Sequence, residues 1–336
     1  MFFNCGHSSV VERLVANEKV EGSTPFARSI YMFGKITNVF QNYVSSRDIR
    51  QFKKNFFYYI FFRLIRKKLN SKIKIKIYNF YILASNKKNE MSHSLLRKCD
   101  FEDIQEIRLI NSIAKNSLIY LFDCGSNFGF YSLYIASKNK KNKIVAFEAS
   151  PFTYMDMKKN ISLNNFSSIK INNLAVSNTE NLKLTFYESE NDWESSITHS
   201  NFSSKSKILV KTTTLDVLTK KQIFDNYTVI IKLDVEGHEM NVIDGSLSLI
   251  KKCSPIIILE FSKFINKDKN YNYSYLKSFL INYDYDIYNT KYEITTLENI
   301  LDEIKNLPNN MYGIGNNFLI KRGSNMEKII KNVRAS

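Results

Sequence analysis

Between residues 118 and 261 the chain alternates short apolar runs with longer stretches of helical periodicity, and this alternation limits the fold more than any other feature. Runs at 118–122, 144–147, 169–176, 229–233 and 256–261 are predicted strands, and helical spacing is predicted over 131–137, 152–163, 240–250 and 275–281. A strand that is apolar on both faces has to be covered on both faces. The pattern therefore predicts an α/β fold, with a mostly parallel central sheet and helices on each side.

The flanking sequence adds smaller elements. Segments 182–187 and 208–213 read as strands inserted before the fourth βα unit, while 286–288 and 317–320 would finish the sheet. In 71–83 an alternating pattern interrupted by Tyr78-Asn79 reads as two short strands or a hairpin. Ile104, Ile107, Ile110 and Ile113 recur at helical spacing, with Asp100 and Asp103 near the start, so 100–114 is predicted to be an amphipathic helix. The expected organisation is a basic, aromatic helix and hairpin over 32–100, an α/β domain over 101–322 and a loosely ordered basic tail over 323–336. Residues 1–31 differ in composition, and "CGHSSVVERLVANEKVEGSTPFARS" resembles the translation of a transfer-RNA gene. Met32 is therefore the expected initiator, and residues 1–31 are left out of the fold reasoning.

The net charge of +16 is unevenly placed: twelve Lys or Arg and no acid lie between Asp48 and Glu90. Within that stretch, "FKKNFFYYIFFRLIRKKL" (52–69) has an apolar run, 56–62, too short to span a bilayer. The plain expectation is a helix packing its aromatic side on the main domain. The alternative is peripheral contact with the inner face of a membrane through 52–69. Nucleic acid is not an expected partner, because no recognition motif accompanies the charge. Four scattered cysteines give neither a disulfide scaffold nor a zinc knuckle, which favours a reducing, cytoplasmic compartment.

Chemistry concentrates after the first and second of the alternating strands. In "LFDCGSNFGF" the turn is G-x-x-x-G, lacking both the G-x-G-x-x-G of a dinucleotide site and the G-K-[ST] of a P-loop. Asp123 at the strand end would repel a phosphate and welcome a cation. Glu148, nineteen residues after Gly129, ends the next strand, where a carboxylate can accept both hydroxyls of a ribose. Two acids without a phosphate grip suit a cationic nucleoside such as S-adenosylmethionine. The plainer reading is an ordinary glycine turn with an exposed Glu148.

These segments, "FDCGSNFGFYSLYIA", "IVAFEASPFTYMDMKKNISLNN", "TTLDVL", "VIIKLDVEGHEMNVIDGS" and "PIIILEFS", resemble in order the motifs of FkbM-type methyltransferases, over roughly 118–261. The resemblance implies the Rossmann-like class I methyltransferase fold and S-adenosyl-L-methionine as cofactor. It also implies that Asp123, Gly125, Ser126, Asn127 and Gly129 hold the methionine end, that Glu148 beside Ala149 binds ribose, and that 174–177, with Ala175, borders adenine. Ser126 stands where the family usually has alanine.

After the fourth strand, "IKLDVEGHE" sets Lys232, Asp234, Glu236, His238 and Glu239 close together, beside the glycine turn if the first and fourth strands are neighbours. Lys232 and Asp234 should share a strand face. Methylation of an alcohol needs a base to take its proton, for which Asp234, Glu236 and His238 are candidates, with Lys232 restraining a carboxylate or acidifying the acceptor. Glu239 is expected to cap the next helix. A divalent cation on Asp234 and Glu236 would need further oxygen ligands that the sequence does not reveal, so no metal set is assigned. "ENDWESSITHS", with Trp193, Ser195 and Ser196, reads either as a loop closing over substrate or as a solvated connection. In "TTLD" a strand ends and Asp216 starts a helix.

The expected function is methyl transfer to a hydroxyl of a sugar or small molecule, with a glycan or glycolipid acceptor in view. Its rivals are a non-enzymatic binding module at a membrane and an NAD-dependent oxidoreductase. The missing G-x-G-x-x-G disfavours the oxidoreductase, and the intact acids disfavour the binding module.

Overall fold

The computed structural model describes residues 42, 44–52, 72–85, 91–189, 195, 197, 204–263, 265, 272–308, 311 and 313–335. The expectations for 1–31, for Met32, for the helix over 52–69 apart from Phe52, and for Trp193 and Ser196 lie outside the described residues.

A hairpin comes first, β1 (Ile73–Ile77) and β2 (Phe80–Ala84), turning at Tyr78-Asn79. Two helices follow, α1 (His93–Lys98) and α2 (Ile104–Asn116). Next come β3 (Leu118–Cys124), α3 (Phe130–Lys138), β4 (Lys143–Phe147), α4 (Pro151–Ser162) and β5 (Ile169–Asn172). A three-stranded sheet is then built from β6 (Ala175–Val176), β7 (Lys183–Ser189) and β8 (Ser204–Thr213), ordered β6-β8-β7. The chain re-enters the main sheet through α5 (Leu215–Thr219), β9 (Tyr227–Leu233), α6 (Glu239–Asp244), α7 (Leu247–Cys253) and β10 (Ile256–Ser262). It ends with α8 (Tyr273–Tyr283), β11 (Tyr285–Tyr288), β12 (Ile294–Thr295), α9 (Leu297–Lys305), β13 (Gly313–Lys321) and α10 (Asn325–Ala335).

The central sheet runs β12-β11-β13-β10-β9-β3-β4-β5. All pairs from β10 to β5 are parallel, whereas β13 is antiparallel to both β10 and β11. Alternate strand residues divide between two cores. Ile119, Leu121, Ile230, Ile256 and Ile258 pack with the hairpin, α2, α3 and Ile330 of α10. Tyr120, Phe122, Ile231, Ile257 and Leu259 pack with α6, α7, α8 and α9. This is the expected Rossmann-like α/β fold, covered on both faces. No helix among the described residues is long and apolar enough to cross a membrane.

Four boundaries differ from expectation. The strand expected over 169–176 breaks into β5 and β6, which join different sheets. The helix expected over 240–250 breaks at Gly245-Ser246, where a Cβ on Gly245 would lie 2.0 Å from the Ser177 carbonyl oxygen. Asp100 stands outside α2, which begins at Ile104. The segment expected to be a loose tail forms α10, which packs on α2 and buries Ile330 completely.

Candidate active site

The chain passes from β3 to β4 and β5 on one side, then returns to β9 on the other side of β3, so strand order reverses between β3 and β9. Open α/β sheets bind ligands at such a reversal, beyond the carboxyl ends of the strands. A cavity of about 750 Å³ lies there, within the range of ligand pockets, roughly 300–1,000 Å³.

The turn after β3 is shaped by its neighbours. Gly125 has φ +77°, and a Cβ there would sit 1.8 Å from the Asp234 carbonyl oxygen, so the end of β9 itself demands glycine. Gly129, φ +90°, starts α3 with Met157 packed over the place of its missing side chain. The Asn127 N–H donates to Glu148 Oε2 at 2.8 Å, and the Ser150 N–H donates to Oε1 at 2.9 Å. Two backbone donors thus hold the Glu148 carboxylate against the cavity, with the side chain only 8% exposed. Beside it, Phe147, Leu174, Ala175, Val176, Phe186 and Ile197 form an apolar wall.

The opposite wall is acidic. Lys232, buried at the end of β9, donates to Asp234 Oδ2 at 2.8 Å and lies 5.0 Å from the centre of the Tyr131 ring. The Tyr131 hydroxyl in turn donates to Asp103 Oδ2 at 2.7 Å. Burial alone would discharge Lys232, but Asp234 and Asp123 outweigh it and hold its pKa above the ordinary value. Burial likewise works upward on Asp234, yet the Lys232 ammonium wins and keeps that carboxyl below its usual range. Glu260 goes the other way: burial first, then the Asp234 and Glu236 charges, push its pKa well above the ordinary carboxyl value. Oxygens of Asp234, Glu236 and Glu260 lie within 4.8 Å of one another.

Of the residues singled out from sequence, Gly125, Asn127, Glu148, Ala149, Ala175, Asp234 and Glu236 line the cavity, and so does Ser195. Five expected site residues do not reach its wall. Asp123 is 1% exposed and accepts from Ser132 Oγ at 2.6 Å, bracing α3 on β3. Ser126 turns its hydroxyl to the Phe147 carbonyl oxygen, 3.1 Å away. Gly129 lies beneath Met157, and Lys232 stands behind Asp234. His238, expected as a candidate base, is buried with Nε2 3.0 Å from Ser177 Oγ, tying α6 to the end of β6. Glu239, expected to cap α6, instead opens that helix and accepts the Val235 and Gly237 N–H groups of the preceding loop at 3.2 and 3.0 Å. Asp216 lies inside α5 and caps α7, through the N–H groups of Ser248 and Leu249.

Sequence reasoning missed His93, Arg97, Phe101, Asp103, Glu260 and Asn316, all on the cavity wall. Glu260 did carry a signal, as the one charge inside the apolar strand "IIILEFS". The others come from α1, the connection between α1 and α2, and β13, far away in sequence.

Residues 123–287 match the methyltransferase FkbM domain. A fungal protein, Methyltransferase 1 of Beauveria bassiana (strain ARSEF 2860), is 26% identical over 145 residues, which cover 38% of this chain and 57% of that relative. Among solved structures, M. jannaschii TYW2 in complex with AdoMet is 12% identical with a TM-score of 0.37, covering 76% of this chain and 88% of that one. SMU.1697c, a putative methyltransferase from Streptococcus mutans in complex with SAH, is 8% identical with a TM-score of 0.36, covering 66% and 99%. The strand order, rather than these two likenesses, defines the fold.

Proposed function

We propose that this chain, whose residues 123–287 match the methyltransferase FkbM domain, transfers a methyl group from S-adenosylmethionine to a hydroxyl of a sugar or another small molecule. The observation that carries this reading is Glu148, braced by two backbone N–H groups and turned to the cavity at the strand reversal.

The site fits such a cofactor. Its Glu148 carboxylate suits a diol, its apolar wall suits a purine, and its carboxylates suit a cation better than a phosphate. When bound, S-adenosylmethionine supplies an electrophilic methyl group on a positively charged sulfur. Glu148 would accept the ribose hydroxyls, and 174–176 with Phe147 would enclose the base. Asp234 and Glu236 face the part of the cavity left for the acceptor, where they can hold its hydroxyl and take its proton as the new bond to oxygen forms. Lys232 fixes the Asp234 carboxylate and keeps it ionised. Much of the rate then comes from alignment, since displacement at carbon is an in-line reaction.

Calorimetric titration of S-adenosylhomocysteine, the demethylated product, is the test, run beside NAD. Expected are saturable binding of the homocysteine compound, none of NAD, and at least a tenfold loss in Glu148→Ala. Glu148→Gln keeps a carbonyl oxygen for one backbone donor and guards against a folding artefact. A folded protein that binds no S-adenosylhomocysteine overturns the reading.

A further inference from the structure

We propose that Asp234, Glu236 and Glu260 bind a hard divalent cation of the Mg²⁺ and Mn²⁺ class at the acidic wall of the cavity, open on one side to the hydroxyls of an acceptor. The three side chains come from different places: the end of β9, the loop after it and the middle of β10. Each offers an oxygen within 4.8 Å of the other two, close enough for one ion to span. The loop that carries Glu236 holds this residue at φ +53°, a conformation side chains rarely adopt. Neither Glu236 nor Asp234 is sealed off, for both line the cavity together with Glu260.

A second observation points to the same ligand. Asn316 on β13 is the direct cross-strand partner of Glu260, so the two side chains share a sheet face. It is 9% exposed and lines the same cavity. Its side chain hydrogen-bonds Glu106, while Oδ1 is buried with no hydrogen-bond partner among the described residues. On this stretch of wall the Asn316 amide oxygen stands with side chains that offer oxygens. The three carboxyl oxygens lie close enough for one ion, and the Asn316 amide oxygen is a further buried acceptor on the same wall. Oxygen-only donors select a hard ion over zinc or copper. Lys232 occupies Asp234 Oδ2, and a carboxylate has room for another partner.

Such an ion needs about six oxygen ligands, so the protein's set leaves positions for water or for neighbouring hydroxyls of a polyol. An acceptor bound in this way would lose its hydroxyl proton more readily, and the carboxylates on the wall would receive it. This role toward an acceptor rests on the methyltransferase reading, whereas the ion site itself rests on the geometry.

Mn²⁺ itself is the probe: titration into the full chain, followed by the loss of the free-ion electron paramagnetic resonance signal. One saturable site is expected, competed by Mg²⁺. Glu236→Gln and Glu260→Gln should each weaken it at least tenfold, and Glu148→Ala should leave it in place. Circular dichroism on each variant confirms the fold, and Glu236, on a loop, is the safer substitution. No Mn²⁺ bound by the folded protein at millimolar ion, or wild-type affinity in both Gln variants, overturns the site. S-adenosylhomocysteine titrated with and without Mn²⁺ separates the two readings. Retained cofactor binding with no Mn²⁺ binding sinks only the ion. Mn²⁺ binding without cofactor binding leaves the ion and sinks the transferase.

Discussion

Gly125 shows how one residue can serve fold and site together. A methyl group there meets the Asp234 backbone at 1.8 Å, and φ +77° adds about 1–2 kcal/mol of strain for any other residue. Gly125→Ala should therefore push β3 and β9 apart at their carboxyl ends. Expected are a lower denaturation midpoint and loss of S-adenosylhomocysteine binding; unchanged values for both would show that the turn yields easily. Glu239 makes a different argument. Burial raises its carboxyl to about 7, with Asp234 adding to the effect, while Tyr273 and Glu260 also feel its charge. The folded state therefore binds this proton more tightly than the unfolded chain, whose Glu ionises near the ordinary value of about 4.3. The contribution is fully present below that value and is lost as pH rises through about 7. Glu239→Gln, which cannot ionise, should gain on the wild type by roughly 1–3 kcal/mol between pH 5 and pH 8. Urea denaturation at both pH values checks it, and a constant difference would refute the raised pKa. At this scale the sequence announced Gly125, Glu148 and Asp234, because a strand followed by a glycine turn or an acid is a local pattern. It hid Asp103 and Asn316, whose place on the wall is set only when α2 packs on β3 and β13 pairs with β10.

At the scale of elements, the hairpin is held by a device that spacing alone does not reveal. Asn160, in the last turn of α4, and Asn164, in the turn just beyond it, meet the free edge of β2. Asn160 Oδ1 accepts from Leu83 N–H at 2.8 Å, and Asn164 accepts from Tyr81 N–H and donates to its carbonyl oxygen at 2.7 Å. Asn164 also donates to the Asn160 carbonyl oxygen at 2.7 Å, which keeps the two amides together, and residues two apart on a strand present their N–H groups to one edge. The Asn side chains thus do for the edge what another strand would. Asn160 also donates to the Phe128 carbonyl oxygen at 2.9 Å, joining the hairpin to the glycine turn. Asn160→Ala strips partners from part-buried backbone groups and should cost on the order of 1–3 kcal/mol. It should also speed hydrogen exchange at Leu83; unchanged exchange there would mean that water or a shifted side chain replaces it. The strands and most helices of the sheet were legible because each obeys its own local period. Where two elements touch, the period gave way: Gly245 breaks the 240–250 helix under the Ser177 carbonyl, and β6 leaves the line of β5 to join β8. The helix α10 reads as a tail on its four charged residues of eleven, although Met326, Ile329, Ile330 and Val333 share one side and pack into the core with α2.

For the whole molecule, the site lies where separately packed parts meet. Phe101 and Met91 on its wall belong with the core of the hairpin and α2, Phe147 and Val176 with the core on the other face of the sheet, and Ala175 and Phe186 with the small three-stranded sheet. A ligand filling the cavity touches all three and therefore opposes global unfolding as well as the fraying of one loop. At a concentration one hundred times its dissociation constant, S-adenosylhomocysteine should stabilise the native state by about 2.7 kcal/mol. For a chain of this size that corresponds to a rise in Tm of roughly 3–5 °C. Differential scanning calorimetry with and without the ligand measures it, with NAD giving no shift and Glu148→Ala losing most of it. A single transition moving as a unit would show that the three clusters unfold together. If instead the ligand shifts only an early, minor transition, the small sheet unfolds on its own and the cavity is a seam between parts. If Tm stays fixed at saturating ligand, the cavity does not hold the nucleoside and the role assigned to Glu148 fails with it.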